Sequence, residues 1–238
     1  MTENLSRDDA YLKSCAAAVT AINDRGGIIL DRTNFYVTGG GQPGDSGSLL
    51  LPDGRTLEIA TTVYGDDRSQ VIHVPASPED LPAPGTPVTC QLNWQRRFAH
   101  MRIHTALHLL SVLLPFPVTG GQIAADGGRL DFDIPEADVA DKEELSARLN
   151  ELVQQDHPVT FEWITDEELL AQPDLVKTMA VKPPMGSGRV RLVRIGKDVD
   201  LQPCGGTHVH STAEIGAVAV TKIEKKGRMN RRVRIAFA

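Results

Sequence analysis

Apolar positions fall in short runs through the first part of the chain, each broken by turn chemistry before a helical period can develop. The runs are CAAAVTAI (15–22), GIILD (27–31), GSLLL (47–51), RTLEIATTVY (55–64), RSQVIHV (68–74) and VTCQLNW (88–94), with NDRGG, PDG and GDD as turns. Short strands recurring without a helix-length apolar period predict a small β-barrel or sandwich. PASPEDLPAPGTP (75–87) carries five prolines. Proline fixes φ and donates nothing to a ladder, so this stretch reads as a surface connection before the closing strand.

The texture changes at Arg96. RRFAHMRIHTALHLLSVLL has no Gly or Pro before Pro115, which predicts one helix of about five turns, buried on most sides. PVTGGQIAADGGRLDFDI follows, with glycine clusters bracketing two short strands, and then EADVADKEELSARLNELVQQD, whose Leu and Val residues recur at helical spacing. PVTFEWIT predicts a strand, DEELLAQ a short helix, and RVRLVRI a strand whose alternating charges suit an edge or half-exposed position. GAVAVTKIEKKGRMNRRVRIAF predicts a terminal hairpin. The chain is therefore expected to be α+β, with a small β-barrel domain over residues 1–93 and an α+β domain over 94–238.

Composition narrows the class. The 238 residues are 41% hydrophobic and 24% charged, as in a globular protein large enough for one or two cores. No run approaches eighteen apolar residues, and the start MTENLSRDDAYLKS is unlike a secretory signal. Cys15, Cys90 and Cys204 are too few and scattered for a disulfide framework, so a cytoplasmic protein without membrane partners is expected. A net charge of −6 argues against non-specific coating of nucleic acid. Yet Lys222, Lys225, Lys226, Arg228, Arg231, Arg232 and Arg234 face one acid, Glu224, in the last hairpin, and Arg189, Arg191 and Arg194 form a second strip. Phosphate contact is expected there, at Arg231 and Arg232 above all. Aromatics are only 5% of residues, so RNA binding is expected to rest on charge more than on stacking.

The chemistry gathers in two stretches. HTALHLL places His104 and His108 four residues apart, on one helix face with their side chains roughly 5–6 Å apart. Alone, that spacing also suits two core histidines bonded to backbone groups. CGGTHVH repeats it with Cys204 and His208, and Gly205 and Gly206 between them are expected to let the backbone turn tightly. Together the stretches offer three imidazoles and one thiolate, a tetrahedral zinc-type donor set. Thr105 stands where the zinc-protease helix HExxH carries its glutamate base, which disfavours a peptidase. His210 is expected either at the surface or beside the ligands in a supporting position.

HTALHLL with QPCGGTHV, preceded by FYVTGGGQPGDSG, resembles the alanyl-tRNA editing proteins of the AlaX family, relatives of the editing domain of alanyl-tRNA synthetase. The resemblance covers nearly the whole chain and suggests the medium-length form, a β-barrel followed by a two-layer α+β editing domain. It implies hydrolysis of the ester linking a wrong amino acid, chiefly serine and sometimes glycine, to tRNA(Ala). It also implies one zinc ion per chain on His104, His108, Cys204 and His208. Thr119, with Gln122 nearby, falls where the family's pocket threonine is expected to read the serine hydroxyl. Gly39, Gly40 and Gly41 correspond to a glycine motif that assists serine discrimination, and three glycines in a row also permit close backbone approach to a ligand. No carboxylate stands out as a general base. A zinc-stabilised tRNA-binding module without catalysis is the alternative.

Overall fold

The computed structural model describes residues 2–66, 68–134, 141–176 and 188–238. The fold is mixed α+β, and the chain divides into two compact units, Met1–Phe98 and Ala99–Ala238.

In the first unit, β1 (Glu3–Asn4) pairs with β4 (Arg32–Thr33). Six longer strands close into a barrel: β2 (Ser14–Ile22), β3 (Ile28–Leu30), β5 (Gly47–Leu50), β6 (Thr56–Tyr64), β7 (Val71–Pro75) and β8 (Pro87–Leu92), in the order β2-β3-β7-β6-β5-β8. Closure leaves no free edge among these strands. Alternate side chains fill the interior, with Val19, Ile28, Leu30, Leu49, Ile59 and Val88 all buried. The glycine motif forms a tight hairpin tip. Gly39 and Gln42 exchange both backbone hydrogen bonds, at 3.0 and 2.9 Å. Gly40 and Gly41 between them sit at φ 58° and 83°, the paired positive values that a two-residue I′ turn demands. Gly44 is required for a different reason, because a Cβ there would run into the Thr62 carbonyl.

Helix α1 spans Trp94–Leu113, two residues earlier than the apolar pattern alone indicates. The reason is Asn93, whose side-chain oxygen accepts from Arg96 N at 3.1 Å and whose carbonyl accepts from Arg97 N at 3.0 Å, an N-cap arrangement. Met101, Ile103, Ala106, Leu109 and Leu110 are fully buried.

The second unit adds β9 (Val118–Ile123), β10 (Gly127–Asp133), α2 (Lys142–Gln154), β11 (Val159–Thr165), α3 (Asp166–Leu170), β12 (Arg189–Ile195), β13 (Asp200–Pro203), β14 (Val218–Lys225) and β15 (Asn230–Phe237). Residues 136–140 of the expected helix before α2 lie outside the described residues. One sheet runs β14-β15-β10-β9 and the other β11-β12-β13. Asn150 and Ser146 of α2 bond the outer backbone groups of β14, with Val218 N and Val220 N donating at 3.0 and 2.8 Å, which covers that edge.

Two local expectations are corrected. The glycines near β9 and β10 lie within the strands rather than around them, because β10 packs flush on α1. A Cβ on Gly128 would come 2.7 Å from Ile103 Cγ2. RVRLVRI is neither an edge nor half-exposed, since β12 is the central strand of its sheet with Val190, Arg191, Leu192, Val193 and Ile195 all buried. Its arginines survive at that position because each meets a partner. No helix among the described residues is long and apolar enough to cross a membrane.

Candidate metal centre

His104 and His108 project from one face of α1 with ring centroids 5.2 Å apart, the separation that i and i+4 positions impose. The second pair comes from the end of β13. Cys204 N donates to Arg191 O at 3.0 Å, which extends the β12–β13 ladder by one rung and fixes the direction of the thiol. The chain then turns so that the His208 ring lies 4.2 Å from His104, tilted, and 4.6 Å from His108, edge-on, centroid to centroid. Cys204 Sγ lies 3.5 Å from His104 Nε2 and 3.3 Å from His208 Nε2. One donor atom from each of the four residues falls within 4.8 Å of every other. Nitrogen and sulfur donors around a tetrahedral ion stand about 3.6 Å apart, close to those contacts. The four residues can hold a metal ion.

The surrounding groups aim the donors. His108 Nδ1 lies 3.0 Å from Asp200 Oδ2, and the Gln202 amide donates to the same carboxylate at 2.7 Å. The Thr105 hydroxyl donates to Met101 O at 2.9 Å and so accepts from His208 Nδ1 at 3.1 Å. Nδ1 is thereby occupied on both rings and Nε2 is left for the centre, the support that metal-binding imidazoles require. Arg191 steadies the loop from below, its Nη1 donating to Cys204 O at 3.2 Å and Gly206 O at 2.9 Å. Gly206 N–H in turn points at Cys204 Sγ, 3.4 Å away. Gly205 has open space where a Cβ would stand.

Electrostatics favour donor forms at Cys204 and His208. Burial opposes the Cys204 thiolate, but the charge of His104 and hydrogen bonds from His104 and His108 outweigh it, holding the thiol well below its ordinary value. Burial first, then the charge of His104, hold His208 well below the usual imidazole range, which keeps it neutral. Burial also opposes the His108 cation, yet Asp200 and Cys204 outweigh it and raise that group to about 9.

The other residues singled out in the sequence lie on separate elements. Thr119 and Gln122 sit on β9. The Thr119 hydroxyl donates to Asp131 O at 3.2 Å and accepts from Asn230 Nδ2 at 2.8 Å, whereas Gln122 is exposed beside Arg129 at 3.2 Å. Gly40 and Gly41 are exposed at their turn tip in the barrel unit. The basic hairpin is partly neutralised from within. Glu224 takes Lys222, Lys226 and Arg234 at 3.3, 3.2 and 2.8 Å, which hold its carboxyl down at about 2. Asp131 takes Arg129 and Arg232 at 2.6 and 2.7 Å. The Arg231 guanidinium reaches backbone carbonyls of Gly227 and Asn230. The strip on β12 is not a uniform phosphate surface either, because Arg191 is buried and Arg194 pairs with Glu162 at 2.9 Å. His210 is exposed.

Thr105, Asp200, Gln202 and Arg191 support the cluster although the sequence reading gave them no such role. A signal for two of them is present in DLQPC (200–204), where polar residues recur every second position toward the cysteine on one strand face.

Residues 190–234, which include Cys204 and His208, match the family described as the Threonyl and Alanyl tRNA synthetase second additional domain. Residues 10–96 match the description tRNA synthetases class II (A). Both descriptions name tRNA synthetases. The Alanyl-tRNA editing protein AlaX-M of Methanosarcina acetivorans is 32% identical, and that of Methanosarcina barkeri 34% identical, each over 98% of both chains. The Alanine--tRNA ligase of Pyrobaculum aerophilum is 34% identical over 94% of this chain and 25% of its own length. The chain belongs to the alanyl-tRNA editing protein family, in its medium-length AlaX-M form.

Proposed function

We propose that this protein hydrolyses the ester of tRNA(Ala) charged with a wrong amino acid, chiefly serine and secondarily glycine, acting in trans in the cytoplasm. Its parts would be a β-barrel (1–93) and a two-layer α+β editing domain (94–238), with one zinc ion on His104, His108, Cys204 and His208. The supporting observation is the complete set of three imidazoles and one thiolate, brought together in a chain that aligns end to end with AlaX-M proteins. The donor set suits zinc, which accepts nitrogen and sulfur ligands tetrahedrally. When bound, zinc supplies a Lewis acid for the ester carbonyl.

The protein's own groups then account for selectivity. A synthetase pocket cannot strongly reject an isostere that merely adds a hydroxyl, whereas a site built to bond that hydroxyl separates the two well. Thr119 is assigned this reading. Its proton is committed to Asp131 O and one lone pair to Asn230, which leaves a lone pair to accept from a serine hydroxyl that alanine lacks. Gln122 flanks it on β9. Gly39, Gly40 and Gly41 are assigned to substrate approach in the barrel unit, and Arg231 and Arg232 to the tRNA backbone.

One observation favours a second reading. Four protein donors fill a tetrahedral sphere, as in structural sites, which suits a zinc-stabilised tRNA-binding module without catalysis. Chelation and Cys204→Ala separate the two. The hydrolase reading expects deacylation that disappears with the metal. The binding-module reading expects lower thermal stability and no turnover at any stage.

A further inference from the structure

The sheet face that carries Cys204 continues beyond the ligand cluster. Arg191 stands opposite Trp163 in the β11–β12 register, and Cys204 N bonds Arg191 O, so Trp163, Arg191 and Cys204 form one rung across three strands. Residues opposite one another in a rung share a face. With strands roughly 4.8 Å apart, the backbones of Trp163 and Cys204 are separated by about 10 Å. Helix α1 covers the β13 end of this face, where His108 meets Asp200. Toward β11 the face opens. Phe161, two positions along β11 and so on the same side, is 43% exposed, and Trp163 is half-buried. Each ring is backed by a cation, Arg191 lying 4.5 Å from the Phe161 centroid and Arg189 4.5 Å from that of Trp163.

We propose that this face seats the terminal nucleobase of the tRNA acceptor end, stacked on Phe161 and Trp163, while the ester lies at the four-residue cluster. The inference rests on the hydrolase reading above and states where the last nucleoside of its substrate goes. Only a ribose separates the ester from that base, so a site holding the ester at Cys204 must accommodate the base on the adjoining surface. The rung leads from the thiol to the rings. Stacking needs only a π-face and is sequence-tolerant, and here Arg191 holds both the Cys204 loop and the Phe161 ring in register. The exposed Arg189 places positive charge where the last phosphodiester follows the base. Low overall aromatic content is no obstacle, because a single base needs only these two rings.

The test uses the full-length protein and the trinucleotide CCA. Trp94 and Trp163 are its tryptophans, so Trp94→Phe leaves Trp163 as the reporter. Saturable quenching of Trp163 fluorescence by CCA is expected, with none from a trinucleotide whose last residue is abasic. In deacylation, Phe161→Ala should raise KM roughly tenfold, the scale of one lost base stack, with kcat and bound metal unchanged, and Phe161→Tyr should restore it. Unaltered quenching with the abasic probe, or an unaltered KM in Phe161→Ala, overturns the proposal. Quenching by CCA in a protein that deacylates nothing would instead leave the stacking site standing and remove the hydrolase reading.

Discussion

His108 and Asp200 meet at 3.0 Å between ring Nδ1 and carboxylate, although 92 positions separate them in the chain. The carboxylate is buried and also holds the Gln202 amide, so it fixes which ring nitrogen faces the centre. Asp200→Asn should therefore weaken metal binding about 10- to 100-fold while all four donors remain. Competition against a chromophoric chelator measures this. Undiminished affinity would mean that the ring needs no such support.

The two arginines assigned to tRNA should behave differently on reversal. Arg231 bonds only backbone carbonyls through its guanidinium, among the described residues, so Arg231→Glu should weaken tRNA binding and reduce the salt slope by about one. Arg232 is held by Asp131 at 2.7 and 2.8 Å, and Arg232→Glu would set two carboxylates together, so it should also lower the melting temperature. Binding titrations over a salt series, with thermal melts of each variant, separate the effects. Equal melting temperatures would contradict the assigned ion pair.

The barrel carries its own pH dependence. His73 is fully buried, with Nε2 2.8 Å from the Thr33 hydroxyl and Nδ1 3.2 Å from Ile28 O. Burial lowers its pKa to about 4, against an opposing pull from the Ile28 carbonyl. The unfolded chain binds this proton near 6.5 and the folded chain only near 4. The stability contribution is thus complete above pH 6.5 and falls as the pH drops from 6.5 to about 4. A shift of that size corresponds to roughly 3 kcal/mol. Denaturant melts across that window should show the loss in the parent protein and a flatter profile in His73→Gln. Parallel profiles would contradict it.

The barrel strands and the four donors were legible in the sequence because both depend on local spacing. Short apolar runs such as CAAAVTAI and RTLEIATTVY, each closed by turn residues, mark strands, and i, i+4 spacing brings His104 and His108 together wherever the helix goes. What the sequence did not reveal depends on long-range pairing. Arg191 looked like a solvent-facing charge in an alternating strand, yet two carbonyls of the Cys204 loop and the Phe161 ring bury it. Thr105 looked like a missing glutamate, and its role as acceptor for His208 appears only when residue 208 is folded onto α1. The basic hairpin carries less uncompensated charge than a count along the chain gives, since Asp131 reaches Arg232 from a strand about a hundred positions earlier. Helix and strand periods describe one element at a time, and these partners lie on another.

The most direct measurement is the release of amino acid from tRNA(Ala) charged separately with serine, glycine and alanine, using the purified zinc-loaded protein. Serine should be released fastest, glycine more slowly, and alanine at the rate of the uncatalysed background. Release of alanine as fast as serine, or release of none of the three, would contradict the proposed editing activity.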